Sequence, residues 1–331
     1  MATLREVARR AGVSIATVSY VLNGTRRVRP EVEARVWEAV AALGYRPNRV
    51  ARGLRRRRTH VLGLIVPDSA NPFFAEVARG LEDASFAAEY RLILCNSDGD
   101  PLKEQRYLEV LLEQRVDGIA LVSASAAPLH LSTLQASGVP FVVVDRDLPG
   151  LEADCVLADN LQGGYLATRH LLERGHRRIA CITGPSDLTP SADRVRGYRQ
   201  AMAEAGIEPP DLWIRRGDFR AESGYQAARF FLSLPPGLRP TAIFACNDLM
   251  AIGALRAIGE AGLAVPRDIA LVGFDDITLA AYVIPPLTTV AQPTYEMGRL
   301  AGELLIQRIQ ERGRPPARPP LPVRLVVRQS A

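Results

Sequence analysis

Residues 3–23, TLREVARRAGVSIATVSYVLN, carry apolar side chains at helical spacing in two short runs. Leu4, Val7, Ala8 and Ala11 share one face of a first helix, and Thr3 and Glu6 stand at the spacing of a capping box that starts it. Gly12 takes a left-handed turn at little cost, and Ser14 then caps a second helix whose inner face is Val18, Val21 and Leu22. Val32, Val36, Val40 and Leu43 mark a third helix, with Pro30 suited to its first turn. After Gly44 comes YRPNRVARGL, in which Val50, Ala51 and Leu54 lie on one face. That stretch is too short for a stable isolated helix, and the expectation is that it folds when paired with a copy of itself and with DNA. Two readings of the first helix pair stand at this point. One is a helix-turn-helix whose second helix enters a major groove; the other is an ordinary helical hairpin packed on a larger core.

From about His60 the pattern changes. VLGLIV, RLILC, GIALV, PFVVV, RRIACI, TAIFAC and IALVGF are apolar runs of strand length that alternate with helical stretches. Their hydrophobicity is nearly continuous, which predicts strands buried on both faces of a parallel sheet. Six or more such units in this length predict two α/β lobes rather than one. The chain ends in PVRLVVRQSA, which reads as a final strand with no leucine heptads after it.

Charge separates the same two regions. Residues 1–58 hold fourteen arginines against Glu6, Glu31, Glu33 and Glu38, a balance of +10, whereas the whole chain is +5. A basic N-terminal module on a mildly acidic body is the electrostatic footprint of a nucleic-acid binder, although Arg55 to Arg58 alone would also suit a solvated linker. The 47% apolar composition allows a substantial core, and no apolar run is long enough to span a bilayer. The absence of a signal-peptide pattern and the scattered Cys95, Cys155, Cys181 and Cys246 lead to the expectation of a cytoplasmic protein with reduced core thiols. His60, His130, His170 and His176 show no metal-ligand pairing, and no Walker A motif, nucleophile elbow or GxGxxG occurs. No catalytic constellation, metal or cofactor is expected.

Ligands of parallel α/β sheets bind outside the carboxyl ends of the strands. Polar residues collect at those positions: Asn71 after the first strand, Asp145-Arg146 after PFVVV, Arg194 beyond the ITGP turn, Asn247 after TAIFAC, Asp275 at the end of IALVGF, and Gln292 after TTVA. Phe73, Phe74 and Phe219 stand beside them. Asp159, Asp248 and Asp276 have the simpler reading of helix caps, and Phe73 or Phe74 that of core residues. A sugar presents hydroxyls around its edge and C–H faces above and below, which matches amides, carboxylates and guanidinium groups set between aromatic rings.

The first sixty residues and the strand-end motifs together resemble the lactose/galactose repressor (LacI-type) family, closest to its ribose and purine repressors. The carrying motifs are TLREVARRAGVSIATVSYVLNG and GYRPNRVARGL, and the likeness runs over essentially the whole chain. The resemblance implies an α/β protein with an N-terminal helix-turn-helix domain (1–45), a hinge helix and linker (46–58) and a two-lobed periplasmic-binding-protein-like domain (59–331). One lobe is expected over about 59–160 and 293–320, the other over about 161–292 and 321–331.

By the same resemblance Ile15, Ala16, Tyr20 and Arg26 face base edges. Thr3, Ser14, Thr17, Ser19 and Asn23 face phosphates, and Asn48, Leu54 and Arg55 belong to the hinge on DNA. Ile15 and Ala16 are apolar where many relatives are polar, so they contact a thymine methyl rather than hydrogen-bond a base. Asn71, Phe73, Phe74, Asp145, Arg146, Arg194, Phe219, Asn247, Asp275 and Gln292 match the positions of ribose-binding proteins. Purine-binding relatives have an aromatic residue where this chain has Arg146. The implied function is a homodimeric repressor on a palindromic double-stranded operator, released by a small monosaccharide, a pentose such as ribose first. The alternatives are an effector-independent carbon-catabolite-type regulator answering to a partner protein, and a sugar-binding transport protein.

Leu54 is expected to wedge into the minor groove at the operator centre. Leu54→Ala should therefore weaken operator binding by about tenfold or more while leaving sugar affinity alone. A gel shift and a sugar titration on the same preparation check both halves.

Overall fold

A computed structural model describes residues 2–23, 26–45, 58–123, 131–148, 152–311, 313–318 and 320–331. The chain divides into two compact units, residues 1–59 and 60–331.

In the first unit, α1 (Leu4–Ala11) starts at the expected capping box: Thr3 Oγ1 accepts from the Glu6 N–H, and the Glu6 carboxylate accepts from the Thr3 N–H. Gly12 ends the helix with φ 65°, the left-handed turn that glycine adopts without a Cβ penalty. Ser14 caps α2 (Ile15–Asn23) by accepting the Thr17 N–H at 3.0 Å. α3 (Pro30–Ala42) has its proline in the first turn. The three helices close on one small core of Val7, Ala8, Ala11, Val18, Val21, Val36 and Ala39. They make a self-contained helical unit and not a hairpin borrowing the core of the body. The hinge expectation (46–58), with Asn48, Leu54 and Arg55, falls almost wholly outside the described residues, as does the Asn23 side chain.

The second unit holds two six-stranded sheets. The first has the order β11-β5-β4-β3-β1-β2, from β1 (Val61–Val66), β2 (Arg91–Asn96), β3 (Gly118–Leu121), β4 (Phe141–Val144), β5 (Asp154–Ala158) and β11 (Pro320–Leu321), all parallel. The second has the order β12-β10-β9-β8-β6-β7, from β6 (Ile179–Thr183), β7 (Ile214–Arg216), β8 (Ala242–Ala245), β9 (Ala270–Asp275), β10 (Thr288–Ala291) and β12 (Arg324–Val326), with only β12 antiparallel. β1, β3, β4, β6, β8 and β9 are buried almost throughout, as continuous apolar runs require. β2 departs from that expectation: Ile93 and Leu94 are exposed, because β2 is an edge strand with no neighbour on its outer side.

The helices are α4 (Pro72–Ala87), α5 (Pro101–Glu113), α6 (Leu131–Ser137), α7 (Asn160–Glu173), α8 (Thr189–Glu204), α9 (Ala221–Ser233), α10 (Asp248–Glu260) and α11 (Thr294–Gln310). The chain passes between the sheets three times, after β5, after β10 and between β11 and β12. Leu321 pairs with Ala158 on the first sheet, one residue beyond the expected limit of that lobe. The return segment is anchored by the buried Asp154, which accepts from the Ala317 N–H at 2.7 Å and from Arg314 at 3.1 Å.

Three helix pairs meet at backbone contact. A Cβ on Gly80 or Gly298 would overlap a carbonyl oxygen of the facing helix in the α4/α11 pair. The same holds for Gly164 and Gly197 between α7 and α8, and for Gly224 and Gly253 between α9 and α10. Gly164→Ala places its methyl group on the Arg194 carbonyl and forces α8 away from α7. The expected loss is about 1–3 kcal/mol, the range of an overpacked contact. Urea unfolding of the variant against the parent measures it.

Candidate functional site

The residues expected to face DNA lie at the start of α2. Ile15 and Ala16 are exposed there, and the Ser14 and Thr17 hydroxyls bond to each other at 2.8 Å beside them. Arg26 stacks its guanidinium 5.7 Å from the centre of the half-buried Tyr20 ring, and Ser19 is also half-buried. Thr3 is engaged in the cap of α1, so its hydroxyl is already partnered within the helix start. Arg5, Arg9, Arg10, Arg27, Arg29 and Arg35 are exposed around this small core.

In the second unit both sheets reverse strand order beside their first strand, at β1/β3 and at β6/β8, and such switch points open a crevice at the carboxyl ends. Asn71, Phe73, Phe74, Asp145 and Arg146 from the first lobe meet Pro190, Arg194, Phe219, Asn247 and Asp275 from the second around one cavity. Gln292 joins them by donating from Nε2 to Asp275 Oδ1 at 2.8 Å. All the expected effector residues are thus brought together.

Local structure explains each placement. Asn71 and Asn247 are N-caps of α4 and α10; their side-chain oxygens accept the Phe73 N–H at 3.0 Å and the Met250 N–H at 2.9 Å. Asn247 Nδ2 also donates to the Phe219 carbonyl at 2.9 Å. Arg194 reaches from α8 to Asn160 Oδ1 on α7 at 2.8 Å and to the Cys246 carbonyl at 2.5 Å, lies 3.7 Å from Asp275, and stacks 3.8 Å from the Phe274 ring centre. Phe73 and Phe74 pack edge to face with ring centres 5.0 Å apart and belong to the first lobe's core while also lining the cavity. Phe219 lies on Gly184, where a Cβ would strike the ring.

Two features mark this as more than packing. Asp145, Phe219 and Asp275 all have left-handed backbone, with φ of 68°, 68° and 112°. Such conformations cost of order 1–3 kcal/mol each and cluster at ligand sites. Several fully buried polar atoms also form no hydrogen bond with the described residues: Asp145 Oδ1, Arg146 Nε and Nη1, and Gln292 Oε1. Nearly all buried polar atoms in proteins are partnered. The cavity measures about 30 Å³, room for one or two waters.

Residues 3–48 match the family of bacterial regulatory proteins, lacI family, and residues 168–331 match a periplasmic binding protein-like domain. The chain is 44% identical to the ribose operon repressor of Escherichia coli (strain K12) over 312 residues, 94% of each chain. It is 42% identical to the transcriptional repressor PurR of Aliivibrio fischeri (strain MJ11) over 313 residues, 94% of this chain and 93% of that one. The chain belongs to the LacI family. Its relatives are transcriptional repressors and not enzymes. The lac repressor dimer bound to operator and an anti-inducer superposes with a TM-score of 0.87 at 30% identity, covering 99% of this chain and 98% of that one. A LacI family regulator of Enterococcus faecium with bound ribose superposes with a TM-score of 0.74 at 34% identity, covering 82% and 98%.

Within this LacI-family body, Pro190 was not legible as a cavity residue, being apolar and in a helix start. Asn160, a polar residue at the strand end after CVLA, supports Arg194 by accepting from its Nε. Asp159 is the expected cap, accepting the Gln162 N–H at 2.9 Å. Asp248 and Asp276 are not caps: Asp248 is fully buried, and Asp276 pairs with Arg328 at 2.7 Å. No described helix is long and apolar enough to cross a membrane.

Burial pushes the Asp275 carboxyl up to about 7, against the pull of Arg194 and Gln292, and raises Asp145 in the same direction against Arg146 and Arg194. A carboxyl whose pKa is raised by folding binds its proton more tightly in the native state. Its contribution to stability is complete below about pH 4 and is lost as pH rises through about 7. The ligand-free protein should lose thermal stability between pH 5 and pH 8, and Asp275→Asn should flatten that slope. Melting temperatures of both proteins across this range test the sign.

Proposed function

We infer that this chain is a dimeric repressor whose hold on a palindromic operator is set by a small monosaccharide, a pentose such as ribose first, enclosed between the two lobes of its body. The observation that carries the reading is the set of buried but partly unpartnered Asp145, Arg146 and Gln292 beside Phe73, Phe74 and Phe219. Polar atoms without protein partners, placed between aromatic faces, are what a polyhydroxyl ring satisfies. The ribose-bound relative supports the pentose. The purine alternative, raised by the PurR likeness, is disfavoured by the unpartnered Arg146 Nε and Nη1 beside Asp145 Oδ1, a mix of donors and acceptor that hydroxyl groups serve from both sides. A partner-dependent regulator would not require the strained, unpartnered cleft.

The operator-bound dimer among the structural neighbours supports DNA binding as a dimer. Two apolar surfaces of the body suit a second copy. Leu279, Tyr282 and Ile284 stand out from the second lobe, with Ile284 90% exposed, and Phe86, Ile93 and Leu94 from the first. Residues 46–58 serve as the hinge to the reading unit, residues 1–45, and the protein acts in the cytoplasm. The closed and open lobes differ in ligand affinity, so sugar and operator are coupled reciprocally by about 1–3 kcal/mol. The sign proposed is release of DNA by sugar.

Isothermal titration against pentoses, hexoses and purines should give binding to a pentose, lowered about 30-fold or more by Arg194→Ala or Phe219→Ala. A purine-only response overturns the sugar reading, and tighter operator binding on adding sugar overturns the sign.

A further inference from the structure

Asp248 follows the cap residue Asn247 and lies wholly inside the second lobe. Its Oδ1 accepts the Thr289 hydroxyl at 2.6 Å, and its Oδ2 accepts the Ile277 N–H at 2.9 Å. Thr289 is on β10, next to the strand that carries Asp275; Ile277 is two residues beyond Asp275. The space for this carboxylate is cut into β9 itself. A Cβ on Gly273 would overlap Asp248 Oδ1.

The segment so held is the strained one. Asp275 and Asp276 are consecutive residues with φ of 112° and 60°, and neither is glycine. Such a pair persists only where the surroundings over-determine it. Asp248 grips the backbone just after it, and Arg328 grips Asp276 at 2.7 Å while donating to the Leu287 carbonyl at 2.9 Å. Each oxygen of Asp248 accepts from one partner, so its carboxyl ties β10 to the backbone just beyond Asp275.

We propose that Asp248 is a positioning residue for effector binding: it fixes the left-handed Asp275–Asp276 turn and thereby aims the Asp275 carboxyl into the cleft. This rests on the effector reading above. Asp248 touches no ligand and acts only through Asp275. A residue that merely stabilised the lobe would affect binding whether or not Asp275 were present. A positioning residue loses its effect once Asp275 is gone.

A double-mutant cycle separates these roles, with D-ribose as the titrated probe on the full-length chain. Asp248→Ala and Asp275→Ala should each weaken binding by about tenfold or more, and the double variant should bind about as weakly as Asp275→Ala alone. Asp248→Asn keeps an acceptor for the Ile277 N–H and should recover most of the affinity. If Asp248→Ala does not fold, Thr289→Val replaces it in the cycle, with the same non-additivity expected. Additive losses overturn the proposal.

If the parent protein binds no sugar at all, the effector reading falls, and the positioning claim is read without ligand. Carboxyl titration by NMR should then show Asp275 shifted by Thr289→Val, which leaves the Asp248 carboxyl in place, while Asp145 stays where it was. An unmoved Asp275 overturns the proposal in that case too.

Discussion

Two carboxylates and two guanidinium groups, Asp145, Arg146, Arg194 and Asp275, are withdrawn from water at the junction of two sheets. Removing charge from water is costly unless each group finds a partner. Arg194 is largely compensated by Asn160, the Cys246 carbonyl and the Phe274 ring. Asp145 and Arg146 are not: their closest approach to each other is 3.9 Å, beyond a hydrogen bond. The arrangement therefore leaves buried polar atoms open to a hydrogen-bonding ligand. Everything else in the body can be understood as the scaffold that keeps these four groups facing one another.

That scaffold is built from parts that do not yield. The strand ends carrying Asp145, Arg146 and Asp275, and the helix α8 carrying Arg194, emerge from cores in which most side chains are fully buried. The crossings between lobes are short, and two of them are tied by the Asp159 N–H donating to the Leu321 carbonyl at 3.1 Å. Val323, on the third crossing, packs against both cores. A direct bond spans the lobes beside the cavity as well, from the Asp147 N–H to Thr189 Oγ1 at 3.0 Å. The crossings are the short connections at which a hinge between such lobes acts.

Much of this was legible in the chain because local rules and global fold agree. Thr3, Glu6, Gly12 and Ser14 announce the first helices through caps that depend only on near neighbours. The continuous apolar runs announce the buried strands for the same reason. β2 misled, since RLILC is as apolar as its neighbours and only the sheet order makes it an edge. The cleft residues were readable because parallel strands deliver their carboxyl ends to one place. Asp248 was not, because Asn247 and Asp248 are equivalent in sequence as caps. Only the fold shows that Asn247 takes the helix N–H while Asp248 turns inward to a strand 41 residues away. Arg146 and Arg194 look alike in the chain, and their different fates follow from Asn160, a contact spanning 34 residues.

The glycines that let α7 touch α8, α9 touch α10 and α4 touch α11 have a mechanical corollary. Interlocked main chains cannot slide past one another as greasy side-chain interfaces do, so each half of the body behaves as a stiff lever. A nudge of a fraction of an ångström at the Arg194 end of α8 is not absorbed locally but is transmitted along the full length of the helix pair.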